Sequence, residues 1–309
     1  MNELRQHLND FIKYLSVKNY SVRSLETYTL ELKYFFGWLE NNNVETLAQI
    51  NYELLLKYQN YLTQAVSNIT KKHLSTRTQL GKLNAIIAFF RFLNKTDKLF
   101  YNPSAKIKLP KKPKTIPWEL LTKRDIVKLL SSPDLNNPVA FRDRAILETL
   151  YSSGLRATEL CKLNLIDIDY DNFCIRINSG KGGKTRVVPC CSRALEFIKN
   201  YILKKRPNTD EKFIFVSVNG KPLTKSEITD RIKIYAEKSG LKKNISAQCF
   251  RIASATHMLK NKADVRYVQQ FLGHNDIDTT MKYLQLEKSE LKQVHSLTHP
   301  HEIRININL

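Results

Sequence analysis

Lys106 to Trp118 reads KIKLPKKPKTIPW, three prolines and five lysines with no apolar period. Proline lacks a backbone donor and interrupts both helix and strand, so a stretch of this composition is an extended linker. At 309 residues the chain is long enough for one large domain or two medium ones. A break at this point selects two: residues 1–105, a basic linker at 106–118, and residues 119–309.

The first segment reads as helices. From Leu25 to Leu39, Leu25, Tyr28, Leu32, Phe35, Phe36 and Leu39 fall on one face at helical spacing. Ser75 is placed to cap a second amphipathic run, with Leu80, Leu83, Ile87, Phe90 and Leu93 on one side. Shorter patterns cover Glu3–Val17 and Tyr52–Ala65. Four or five such helices make a bundle whose aromatic stripes form its core.

Beyond the linker the pattern changes. Thr122-Lys-Arg-Asp125 and Thr224-Lys-Ser-Glu227 have the capping-box spacing that opens helices. A further helix runs from about Phe141 to Tyr151 and ends at Gly154. From Ile166 the period shifts toward two. Phe173, Ile175 and Ile177 alternate with Cys174 and Arg176, Gly180–Lys184 makes a turn, and Thr185–Pro189 returns as a second strand. The expected fold is mainly α in two domains: an N-terminal helical bundle, then a mostly helical α+β domain with a small antiparallel sheet.

Composition bears on partners. Lys and Arg number 50 against 29 Asp and Glu, a net charge of +21. Residues 1–110 hold 15 basic and 8 acidic side chains, and the remainder hold 35 and 21. Both halves are basic, as expected if both touch one long polyanion. A membrane-surface protein usually concentrates its charge in one amphipathic helix or tail, so nucleic acid is the better match. The longest apolar run, Ala85–Phe90, stops at Arg91, far short of the roughly 18 residues a membrane span needs. The polar N-terminus has no apolar signal core, and the expected location is cytoplasmic. Five cysteines (Cys161, Cys174, Cys190, Cys191 and Cys249) form no CxxC pair, which supports neither a disulfide framework nor a zinc site.

Four segments carry polar groups suited to chemistry. Gly154-Leu-Arg156-Ala-Thr-Glu159-Leu160 puts an arginine at a helix start, which taken alone is ordinarily a surface ion pair. The Gly180–Lys184 turn holds Lys181 and Lys184 with Arg186 close behind, and alone it is a solvated hairpin tip. Ser246-Ala-Gln248-Cys-Phe-Arg251 runs into Ile252-Ala-Ser-Ala-Thr-His257-Met-Leu259. It sets Arg251 among apolar helical residues, where a guanidinium needs an anionic partner. Leu272-Gly273-His274 precedes Tyr283 by nine residues.

As an ordered set, these segments resemble the tyrosine recombinase (phage integrase) family, most closely its short Xer-like members, over nearly the whole chain. The resemblance implies a SAM-like, DNA-core-binding first domain and a catalytic second one. It puts the two active-site arginines at Arg156 and Arg251, the hairpin lysine at Lys181, the second histidine position at His274 and the nucleophile at Tyr283. One position departs: where the family usually has His, three residues before the second arginine, this chain has Gln248. Gln offers only neutral hydrogen bonds, so activity is expected to be retained but slower, with more resting on His274.

The implied reaction is transesterification at a DNA phosphodiester through a covalent phosphotyrosine. A phenol of ordinary pKa near 10 is a weak nucleophile at neutral pH; two guanidiniums favour its ionised form and clamp the phosphate. Lys181 suits protonation of the leaving hydroxyl. The covalent link conserves the phosphodiester, so no cofactor, ATP or divalent metal is expected. Glu159, Asp143 and Asp276 are expected to orient arginines or cap helices, and His7, His73 and His257 to be structural. The expected partners are double-stranded DNA at specific sites and further copies of the chain in a tetramer, with a second recombinase or an accessory protein as a further possibility and no membrane. Glu287–Leu309, ending in the alternation Ile303, Ile305, Ile307 and Leu309, either docks on a neighbouring subunit or is a frayed tail. Two other readings stay open: a type IB topoisomerase-like enzyme, and a non-catalytic DNA-binding descendant.

Lys111 and Lys112 in the linker, with Lys184 and Arg186, are expected to contact backbone phosphate. Neutralising Lys111 and Lys112 together is expected to weaken binding on every sequence and lower the salt slope of log K by about 2, while DNA already bound is still cleaved. Titrations at a series of salt concentrations check this, and an unchanged slope assigns both lysines to solvent.

Overall fold

Helix α1 (Asn2–Val17) turns Leu4, Leu8, Phe11 and Leu15 inward at three- and four-residue steps, and all four are buried. Ser21 caps α2 (Val22–Glu40), Asn51 caps α3 (Tyr52–Gln64) and Ser75 caps α4 (Thr76–Lys95), each side chain accepting a first-turn backbone N–H. These helices build the first of two units into which contacts divide the chain, Met1–Ile116 and Pro117–Leu309. The structure is a computed structural model and describes residues 2–67, 70–111, 120–178, 185–274, 276 and 280–281.

The aromatic stripes meet in the first unit's core. Phe11, Phe36, Phe89 and Phe90 make tilted or edge-on contacts, and Phe35 meets Tyr58 with ring centroids 4.8 Å apart. The α4 face is slightly rotated from expectation, with Ile86 and Phe89 buried and Ile87 only half-buried. The ammonium of buried Lys82 sits 2.6 Å from Glu31 Oε2 and 3.5 Å above the Tyr34 ring, so its charge is compensated.

The second unit begins with α5 (Lys123–Ser131), opened by the Thr122–Asp125 capping box. Next comes α6 (Pro138–Ser153), which starts three residues before Phe141 because Asn137 caps it and Pro138 takes the first turn. It is the central helix and packs on others of this unit. Even Arg142, Asp143, Arg144 and Glu148 are buried on it. It ends at Gly154, whose φ of +58° turns the chain into the short α7 (Ala157–Leu160).

Strands β1 (Ile168–Asp169), β2 (Cys174–Ile177) and β3 (Arg186–Pro189) form an antiparallel sheet in that order, with Ile175 opposite Val188 and Ile177 opposite Arg186. Ile175, Ile177 and Val188 face the core. Phe173 differs from expectation. It is exposed, at φ +51°, in a turn where the Asp169 carboxylate accepts the Asn172 backbone N–H, and the strand begins one residue later. Closing that tight turn needs a left-handed residue at its end, and this overrides the alternation.

Then follow α8 (Ser192–Lys204), α9 (Lys225–Lys238) with its Thr224–Glu227 capping box, α10 (Ala247–Lys260) and α11 (Val265–Leu272). The architecture is mostly helical with one small antiparallel sheet. No described helix is long and apolar enough to cross a membrane. Residues 287–309 lie outside the described residues.

A Cβ at Gly154 would meet Phe271 Cε1 at 2.9 Å and would sit in a left-handed conformation. Gly154→Ala is therefore expected to cost about 1–3 kcal/mol of stability, read as a lower urea midpoint with unchanged slope.

Candidate active site

One carboxylate organises two arginines. Arg156 is the N-cap residue of α7, and Glu159 follows one turn later with its side chain almost wholly buried. Glu159 Oε1 accepts from Arg156 Nη1 at 2.9 Å and Arg186 Nη1 at 2.9 Å. Its Oε2 accepts from the Arg156 backbone N–H at 2.9 Å and Arg186 Nη2 at 3.0 Å. Burial alone would raise the carboxyl pKa. The hydrogen bonds from Arg186 and the Arg156 backbone, with the two positive charges, outweigh it and bring the group to about 2. Glu159 is ionised at any working pH, and the Arg156 side chain remains about one-third exposed, 35%.

Arg251 is the largest wholly buried side chain among the described residues, with 1% of its surface exposed. Its Nη1 donates to Gly154 O and its Nη2 to Leu272 O. Both carbonyls stand at helix C-termini, α6 and α11, where the helix dipole favours a cation. These carbonyl contacts have no signature in the sequence, which points only to an anionic partner for this guanidinium.

Gly273, at φ +64°, ends α11 and hands the chain to His274. The His274 imidazole Nδ1 lies 2.8 Å from the hydroxyl of buried Thr280. Burial first, then the charges of Arg251, Arg156 and Arg186, depress its pKa to about 4. At neutral pH the ring is uncharged, and Arg251, Arg156 and Arg186 all stand near enough for their charges to act on it.

The structure thus brings together Arg156, Arg251 and His274. Gln248 lies half-buried on α10, three residues before Arg251. Lys181, Lys184, Lys112 and Tyr283 lie outside the described residues, and Lys111 is exposed. Arg186 differs from its expectation as a backbone-phosphate contact on a solvated hairpin. Its side chain is 16% exposed and both terminal nitrogens are committed to Glu159. Asp143 does orient arginines, accepting from Arg142, Arg231 and Tyr235 in the core, and His257 Nδ1 meets the Tyr151 hydroxyl at 3.0 Å. Two features escaped the sequence. Thr280 sits within a noted segment but carries no motif of its own, and the carbonyls of Gly154 and Leu272 have no side-chain signature.

Comparison with known proteins bears on the family and the fold. Residues 119–290 match the phage integrase family and residues 8–96 its N-terminal SAM-like domain. Tyrosine recombinase XerC 2 of Ralstonia nicotianae is 32% identical over 300 residues, covering 96% of this chain and 86% of that protein. Tyrosine recombinase XerD of Listeria innocua is 33% identical over 310 residues, covering 97% and 99%. Among solved structures, the XerH site-specific recombinase bound to its difH substrate superposes with a TM-score of 0.71 at 21% identity, covering 93% of this chain and 84% of that one. The Tn1549 transposon integrase on transposon right-end DNA gives 0.74 at 17%, covering 94% and 99%. These last two likenesses speak for the fold.

A helical fold that closes several cations around one point, on a chain of this motif order, defines an enzyme of DNA strand cleavage and rejoining. The chain belongs to the phage integrase family and is a tyrosine recombinase, acting by site-specific recombination. None of these likenesses favours a type IB topoisomerase-like enzyme or a non-catalytic descendant.

The depressed His274 pKa has a measurable sign. The unfolded chain takes up this proton near pH 6.5 and the native state only near 4, so the unfolded state binds more protons between them. Stability is therefore full above about 6.5 and falls as pH drops toward 4. Glu159 continues the loss from its ordinary 4.5 toward 2. In His274→Asn the first of these slopes is expected to flatten while the second persists, as read from urea midpoints against pH.

Proposed function

We propose that Tyr283 attacks a scissile DNA phosphodiester within a grip formed by Arg156, Arg251 and His274, with Lys181 and Gln248 completing the set. The observation that carries this is the convergence of the two arginines and the histidine from three separate elements. All of them belong to the motif set whose last member is Tyr283.

The step balances as a simple exchange. The Tyr283 phenolic oxygen forms a bond to phosphorus, the bond from phosphorus to the 5′ oxygen breaks, and a 3′-phosphotyrosine and a free 5′-hydroxyl result. Lys181 gives that hydroxyl its proton. With Nδ1–H donating to Thr280, His274 presents Nε2 as the lone pair for the phenolic proton, a role its low pKa allows at pH 7 because the ring is neutral. Arg156 and Arg251 hold the nonbridging oxygens as charge builds on them. Rejoining runs the same exchange backwards with a 5′-hydroxyl from a partner strand, so the phosphate bond is conserved and no external energy source enters.

Gln248 donates a neutral hydrogen bond where an imidazole would titrate, which supports a slower first step. The basic N-terminal domain, residues 1–105, and linker lysines such as Lys111 and Lys112 track the duplex outside the cleavage point. Recombination joins two sites, each cut on both strands, so four copies of the chain act together in the cytoplasm, with residues 119–309 supplying the catalytic unit and its C-terminal segment the contact between copies. A lambda integrase tetramer bound to a Holliday junction shares this fold, with a TM-score of 0.71 at 17% identity.

The test is covalent capture. The protein is incubated with sheared host genomic DNA, quenched in denaturant, and the attached fragments are sequenced. Adducts converging on one sequence are expected, absent in Tyr283→Phe. On a nicked duplex of that sequence, Gln248→His is expected to cleave about tenfold faster. No adduct with the unsubstituted protein, or an adduct that survives in Tyr283→Phe, would overturn the assignment.

A further inference from the structure

Arg186 takes no part in the catalytic roles proposed above, yet it touches both Glu159 and Gly273. It stands at the start of β3, two residues after Lys184. Its two terminal nitrogens occupy both oxygens of Glu159. Its aliphatic end lies against Gly273, where an added Cβ would meet Arg186 Cδ and Nε at 2.9 Å. Its Nε is buried with no hydrogen-bond partner among the described residues, so the side chain is placed by Glu159 and by packing under Gly273.

We propose that Arg186 is a positioning residue that saturates Glu159, so that Arg156 keeps its outward edge for the phosphate, and that it sets the Gly273–His274 backbone. The inference rests on the recombinase assignment above and adds a residue to it. The charge arithmetic carries it. Glu159 alone against Arg156 would cancel that guanidinium and, with no side-chain donor on Oε2, would draw it into a two-pronged pair. With Arg186 present, each oxygen already has an arginine donor, and the trio keeps one net positive charge beside Arg251. Arg156 then needs to give Glu159 only Nη1 and its backbone N–H.

This role differs from mere packing in one measurable way. If Arg186 acts by neutralising Glu159, removing both charges together restores Arg156. On the nicked duplex recovered by covalent capture, with protein saturating, Arg186→Met is expected to lower the adduct-forming rate about 100-fold. The double variant Arg186→Met, Glu159→Gln is expected to regain at least tenfold of that loss, and Arg186→Lys to fall in between, since an ammonium neutralises without forking. A double variant no faster than Arg186→Met, or an Arg186→Met that cleaves like the unsubstituted protein, overturns the proposal.

A second readout needs no catalysis. In the free protein, Arg186→Met is expected to move the Glu159 carboxyl titration, followed by carbon NMR, up from about 2 toward the ordinary 4.5. If the unsubstituted protein captures no DNA, the recombinase assignment fails while this titration still decides whether Arg186 governs Glu159. An unmoved Glu159 sinks the positioning role on its own.

Discussion

The second unit turns on one buried cation. Burying an isolated guanidinium costs several kcal/mol even after relaxation, so Arg251 at 1% exposure stays charged only where fixed negative ends face it. Gly154 O and Leu272 O supply them. Hydrogen bonds to a charged group contribute about 1.5–3 kcal/mol each, and a helix C-terminus adds up to about 2. Two such carbonyls offset a penalty of this size. The same contacts tie the end of α6 to the end of α11 through α10, and those two ends lead directly to Arg156 and to His274. Holding Arg251 in the core and assembling the site are thus one structural event.

The glycines at those helix ends follow from the same requirement. A helix that terminates with its carbonyls turned toward a neighbouring cation must bend away at once, and the left-handed conformation does this within one residue. Gly154 and Gly273 adopt it at φ +58° and +64°, and each is crowded by another part of the site: Phe271 against Gly154, Arg186 against Gly273. Charge is balanced just as locally. Along α6, Arg142 pairs with Asp143 and Arg144 with Glu148, so the central helix leaves little field behind. Around His274, Glu159 pairs with Arg156 and Arg186 while Arg251 rests on two backbone carbonyls. The positive charge left over adds to burial in keeping the imidazole neutral.

Much of the fold was legible because its signals are local. The inward faces of α1 and α2, the Ser75 cap, the two capping boxes and the Gly154 stop all depend on residues within a turn or two of one another. The misreadings were local competitions settled by another rule: Phe173 was assigned to a strand and closes a turn, and α6 starts at Asn137–Pro138 instead of Phe141. At the site, Arg156, Arg251 and His274 were visible because each sits in a recognisable segment, and Glu159 and Asp143 were rightly expected to orient arginines. The burial of Arg186 on Glu159 is not legible, because a lysine- and glycine-rich hairpin looks solvated from its composition. Its partner lies 27 residues away, a separation at which no periodicity carries information.

By itself the sequence determined the class of helices, the division at the proline- and lysine-rich linker, the affinity for a polyanion and the order of the motif residues. Each of these is a property of composition or of neighbours along the chain. Only the tertiary structure decided what those residues touch. It made carbonyls, with no side chain to announce them, the partners of Arg251. It gave Glu159 two arginines instead of one, and it brought the Thr280 hydroxyl to His274. Burial and charge then set the His274 pKa. The physical reason is that hydrogen-bond partners and local dielectric are set by distance in space, and that distance exists only once α6, α10, α11 and β3 have packed.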